Sequence, residues 1–218
     1  MKLMGLCLLA AVCYAGGSPR IQQLAPVTLF TQFQQPPQQA VIEALQAEAE
    51  NILAPAGFRL DWHDITAAST VGTVTELAVV TFRGRCGANE GVPRIPSPQL
   101  VLGFTSVTDG AILPFITVDC DRARGFLANA LFRLADSERR RIFGRALGRI
   151  LAHELYHVFA NTMRHGPTGV AKNAYSVSDL MGEEFSFEER EFEMLRAARP
   201  PTAPPGVTPP TAAADGTR

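Results

Sequence analysis

What the sequence lacks narrows it first. Its formal net charge is only -1 over 218 residues, so there is no electrostatic ground for binding nucleic acid or an anionic membrane surface. No basic stripe with interleaved aromatics is present. The one dense basic run, Arg139-Arg140-Arg141, fits the exposed face of a helix. No segment repeats, which excludes a repeat architecture. The chain also lacks an apolar run long enough for a membrane span.

The one N-terminal apolar stretch, Leu3 to Val12, reads instead as the core of a secretory signal peptide. Lys2 precedes it, and Cys13-Tyr14-Ala15 followed by Gly16-Gly17 offers a small-residue cleavage site after Ala15. A lipoprotein anchored through Cys13 is the rival, and Val12 fits that poorly. The mature protein is therefore expected to be secreted or periplasmic, monomeric and without an integral membrane span. Cysteine is scarce as well. Cys7 and Cys13 leave with the signal, and Cys86 and Cys120 remain as an even pair. In an exported chain such a pair predicts a disulfide.

The hydrophobic share of 46% is ample for one core. Residues 1–15 are the signal and 16–37 a linker whose Gln/Pro-rich end runs from Gln32 to Gln39. Residues 38–199 are the domain, and 200–218, rich in Pro, Ala and Thr, a disordered tail. Within the domain, Val41, Ile42, Leu45, Ala49 and Ile52 have helical spacing over Gln38 to Leu53, ended by Pro55 and Gly57. Phe58, Leu60 and Trp62 alternate with polar residues and predict a half-buried strand. Further strands are expected over Glu76 to Arg85, Leu100 to Val107 and Ile112 to Val118. The last two are joined across Asp109-Gly110, and Pro114 argues for an edge position. Helices are expected over Arg122 to Leu134, from an Asp136 or Ser137 cap to about Ala160, and over Ser186 to Ala198. The fold class is α+β, a mixed sheet packed on a long helix with further helices.

The chemistry concentrates on that long helix. His153 and His157 are four residues apart, so both imidazoles can reach one ion. Glu154 lies one step round, placed to handle a proton beside the metal without ligating it. This is the mechanical content of the H-E-x-x-H pattern. Zn2+ suits imidazole nitrogen and an open fourth position, and Glu154 would act as general base. Three of the four histidines fall between residues 153 and 165. His165 is the expected third ligand, just past the helix end. Asp179, Glu183 and Glu184 are the fallback ligands, and His63 is an outside candidate. Helix geometry turns Tyr156 away from the histidines. Lys172 and Tyr175 are candidate donors to an oxyanion, with Asn161 and Arg164 weaker ones.

From His153 to about Phe185 the chain resembles the zincin superfamily of zinc metallopeptidases, and within it the metzincins. That family carries H-E-x-x-H-x-x-G-x-x-H followed by a methionine turn. His153, Glu154 and His157 match. Ala160 stands in place of the glycine and Met163 in place of the third histidine, so His165 arrives two positions late and the turn after the helix must differ. Ser178-Asp179-Leu180-Met181 resembles the methionine turn, which would put Met181 beneath the metal. The resemblance implies a peptide or protein substrate laid along an edge strand, supplied here by the hairpin at Asp109-Gly110. The expected function is peptide-bond hydrolysis. The alternative is a zincin-like module that keeps the metal but only binds a peptide or partner. A zinc hydrolase of non-peptide amides is a third reading.

Overall fold

The computed structural model describes residues 26–91 and 101–198. The signal peptide, Cys13, Leu100 and the Pro-rich tail lie outside the described residues. The elements run β1 Val27–Gln35, α1 Gln39–Leu53, β2 Leu60–Asp64, β3 Leu77–Arg85, β4 Gly103–Thr108, β5 Ala111–Asp119, α2 Cys120–Leu131, α3 Asp136–Phe159, α4 Val177–Met181 and α5 Glu189–Ala197. The five strands form one mixed sheet in the order β2-β1-β3-β5-β4. The first four in that order are parallel to their neighbours, and β4 is antiparallel at the edge. The class is α+β.

The linker expectation for residues 16–37 is corrected. Val27 to Gln35 is β1, hydrogen-bonded between β2 and β3, and Val27 to Phe30 are all buried. A strand covered on both faces shows no alternation, so its apolar run reads like the prelude to the Gln/Pro stretch beside it. Pro114 is corrected too, because its strand β5 lies one in from the edge. Two local features accommodate the missing donor. Pairing of β5 with β3 starts only at Phe115. Against β4, Thr105 pairs with Ile116 and Val107 with Ile112, so Leu113, Pro114 and Phe115 stand opposite Ser106 alone. The proline occupies a bulge.

Helix α3 begins after Ala135, which has no side-chain cap, rather than at a cap on Asp136 or Ser137; Asp136 and Glu138 sit in its first turn. Arg139 is not a free surface residue. Its guanidinium donates to the carbonyls of Leu131 and Leu134 at the end of α2. The final helix starts later than expected, at Glu189, and Phe187 packs from the segment before it.

The core lies between the sheet and the pair α1 and α3. Two glycines bring these helices together. A Cβ on Gly144 would lie 2.5 Å from the Val41 carbonyl oxygen, and one on Gly148 2.6 Å from that of Leu45. Backbone atoms cannot yield there, so only glycine permits the approach. Next to Gly148, Arg149 is fully buried. It donates to Glu48 Oε1 of α1 at 2.5 Å and to the Asp179 carbonyl of α4 at 2.5 Å, and Arg145 donates to the Gly182 carbonyl at 2.6 Å. These two arginines tie α1, α3 and the segment after α4 into one frame. The disulfide between Cys86 and Cys120 joins the end of β3 to the start of α2. Among the described residues no helix is long and apolar enough to cross a membrane.

Candidate functional site

The C-terminal half of α3 runs beneath β4, and the chain then reverses. The reversal is made at Asn161, whose φ of 45° is left-handed. Ala160, standing where metzincins have glycine, stays right-handed at φ -84°. The chain therefore turns at Asn161, and its return brings His165, not residue 163, to the two helical histidines. Met163 instead lies half-exposed at the rim of the cleft.

The three imidazoles meet. One ligand nitrogen from each of His153, His157 and His165 lies within 4.8 Å of the others. The rings of His153 and His165 stack with centroids 5.3 Å apart, and His157 meets His165 edge-on at 4.9 Å. Both helical histidines are held by backbone acceptors from the returning chain. His153 Nδ1 lies 2.7 Å from the Val170 carbonyl oxygen, and His157 Nδ1 lies 2.7 Å from that of Thr162. A carbonyl can only accept, so each Nδ1 carries the proton and each Nε2 presents a lone pair. Those two Nε2 atoms are 3.1 Å apart.

Two neutral lone pairs facing each other repel unless a proton or a cation lies between them. Burial disfavours the proton: it lowers the His153 pKa to about 4, and it lowers His157 and His165 as well. A cation remains. The separation also suits one, since two nitrogens roughly 2.0–2.1 Å from a tetrahedral ion stand about 3.3 Å apart. The three histidines can thus hold a metal ion, through orienting carbonyls already in place.

Glu154 is buried beside this cluster. Oε2 accepts from Thr105 Oγ1 of β4 at 2.8 Å. Burial raises its carboxyl pKa to about 7, outweighing that hydrogen bond. The histidines, Glu154, Thr105, Gly103, Phe104 and Tyr175 line a common cleft of about 360 Å³. Tyr175 donates its hydroxyl to the same Val170 carbonyl that holds His153. Its ring meets His153 edge-on at 5.5 Å, and burial pushes its phenol pKa well up.

Other expected residues fall elsewhere. Asp179, a fallback ligand, is engaged by Ser176 and by Lys172 Nζ at 2.5 Å, and forms the capping box of α4. Lys172 lines the cleft with its ammonium on that carboxylate. The side chain of Glu183 is 88% exposed, and Glu184 is exposed; neither joins the cluster. His63 pairs with Asp61 on the far edge strand. Tyr156 packs against Phe187 and reaches Met194 Sδ at 3.7 Å, on the side of α5. Asn161 makes the turn, and the backbone N–H of Arg164 is bonded to Thr162 Oγ1. The methionine-turn expectation is corrected in form: Ser178 to Met181 belongs to the short helix α4, whose buried residue is Leu180. Met181 is half-buried against the core and is not among the cleft-lining residues.

Thr105 and Gly103 were not anticipated. Strand β4 reads Gly-Phe-Thr-Ser-Val-Thr with its apolar residues exposed, so neither stands out in the sequence. The carbonyls of Thr162 and Val170 leave no trace there. No protein-family model matches the chain, and no curated protein matches it.

Proposed function

We propose that the chain is an exported zinc-dependent peptidase of zincin type, with His153, His157 and His165 as metal ligands and Glu154 as general base. The observation that carries this reading is the convergence of the His153 and His157 Nε2 lone pairs, each fixed by an Nδ1–H bond to a carbonyl. Three imidazoles, with no thiolate or carboxylate beside them in the cluster among the described residues, suit zinc with an open fourth position. When bound, zinc would supply the Lewis acidity that activates water and stabilises developing negative charge.

The chain's own residues do the rest. Glu154 is a buried carboxyl beside the histidine cluster, placed to take and return protons. Its Oε2 is tied to Thr105, and among the described residues Oε1 has no hydrogen-bond partner, which leaves it to receive the proton and pass it to the leaving amine. The edge strand favours a peptide. Leu102 gives its carbonyl to the Asp119 N–H, so by the alternation of an antiparallel strand the N–H and C=O of Gly103 face away from β5. An extended chain can pair with them beside Glu154. The disulfide supports an exported protein.

The test measures zinc per chain and casein hydrolysis for wild type, Glu154→Ala and His165→Ala. Glu154→Ala should keep its zinc and lose activity by about 10²-fold or more. His165→Ala should lose zinc affinity. Wild type that holds zinc and cleaves nothing would favour the non-catalytic binding module.

A further inference from the structure

Edge strand β4 meets both carboxylate oxygens of Glu154 but bonds only one. Thr105 is a buried polar residue, 8% exposed, and its hydroxyl lies 2.8 Å from Glu154 Oε2 and 3.1 Å from the Glu154 backbone oxygen. A hydroxyl has one proton, and the charged acceptor takes it in preference. Two residues earlier, on the same face, Gly103 has no side chain. A Cβ there would lie 3.0 Å from Glu154 Oε1 and 2.9 Å from Ile150 Cγ2. One strand therefore fastens one oxygen and leaves room for the other.

We propose that Thr105 is the positioning residue of the site. Its hydroxyl fixes the rotation of the Glu154 carboxylate, so that Oε1 stands free as proton acceptor and Oε2 does not compete. This rests on the reading of Glu154 as the base beside a zinc ion. Because the same strand carries Gly103, the alignment of the base and the seating of a chain on β4 become one property.

The experiment uses zinc-loaded full-length protein and acetohydroxamate, a chelator whose hydroxyl proton a neighbouring base takes up. Affinity is measured by calorimetry for wild type, Thr105→Val, Thr105→Ser and Glu154→Gln, with zinc content and Tm recorded for each. Loss of a hydrogen bond to a charged group predicts that Thr105→Val weakens acetohydroxamate about tenfold or more at unchanged zinc content. Glu154→Gln should weaken it at least as much. Thr105→Ser, which keeps the hydroxyl, should stay within about threefold of wild type. A merely structural role gives the opposite order, because valine keeps the shape of threonine and serine does not. Wild-type affinity in Thr105→Val with weakened affinity in Glu154→Gln overturns this inference alone, and wild-type affinity in Glu154→Gln overturns it together with the assignment of Glu154 as base. A wild type that takes up no zinc overturns the inference together with the functional reading beneath it.

Discussion

Replacing Glu154 with glutamine should change how the metal-free protein responds to pH, and the direction follows from burial. The folded carboxyl has a pKa of about 7, against 4.5 for the exposed group. Between those values the folded chain holds a proton that the unfolded chain has released. Folding stability therefore falls as pH rises through this window and stays lower above it. The gap of about 2.5 in pKa corresponds to about 3 kcal/mol. His153 works the other way. Its folded pKa is about 4 against 6.5, so the unfolded chain binds the extra proton and stability falls as pH drops from 6.5 towards 4, again by about 3 kcal/mol. In the wild type the two slopes oppose each other between pH 4.5 and 6.5. Glu154→Gln removes one of them. The variant should match wild type near pH 4.5 and exceed it by about 3 kcal/mol at pH 8. It should also lose stability more steeply than wild type on acidification below 6.5. Urea unfolding with chelator present, followed by fluorescence of the single tryptophan, Trp62, gives both curves. A stability difference that does not vary with pH would refute the claim that Glu154 is buried as a proton-holding carboxyl.

Two further outcomes test the frame around the site. Opening the Cys86–Cys120 bond with paired serine substitutions should cost about 3.8 kcal/mol in the chain-entropy model for a separation of 34 residues, read as a lower urea midpoint with a steeper slope, because the denatured chain without the bridge is less compact. Arg149→Ala removes the donor to the Asp179 carbonyl and leaves half-buried Glu48 with Arg145 alone. It should destabilise by about 1–3 kcal/mol in the same assay, whereas Arg141→Ala, on an exposed part of α3, should leave stability within about 0.5 kcal/mol of wild type.

Much of this architecture is legible in local pattern. The 3.6-residue spacing of Ile142, Phe143, Ala146, Leu147, Ile150 and Leu151 announces α3, and the short apolar runs announce β3 to β5. Strand β1 was hidden because its first four residues, between two neighbours, are buried on both faces, which erases the period-2 signal, while Gln32, Gln34 and Gln35 in its second half have the composition of a linker. Proline in a strand favours an edge, but the bulge at Pro114 relieves that constraint one strand in. At the site, His153, Glu154 and His157 sit on one helix, so their spacing is their geometry. His165 needed a turn, and the left-handed Asn161 that sets it looks like any loop asparagine. Thr105 approaches Glu154 from 49 residues away, and the carbonyl of Val170 reaches His153 from 17. Such partners are brought by sheet and loop packing, which local periodicity does not encode.

Zinc-edge X-ray absorption of the purified full-length protein tests the three-histidine metal site most directly. The prediction is one zinc per chain with three imidazole nitrogens and one oxygen at about 2.0–2.1 Å, falling to two imidazoles in His165→Ala. A zinc shell of oxygens with fewer than two imidazoles, or a shell unchanged in His165→Ala, would contradict it.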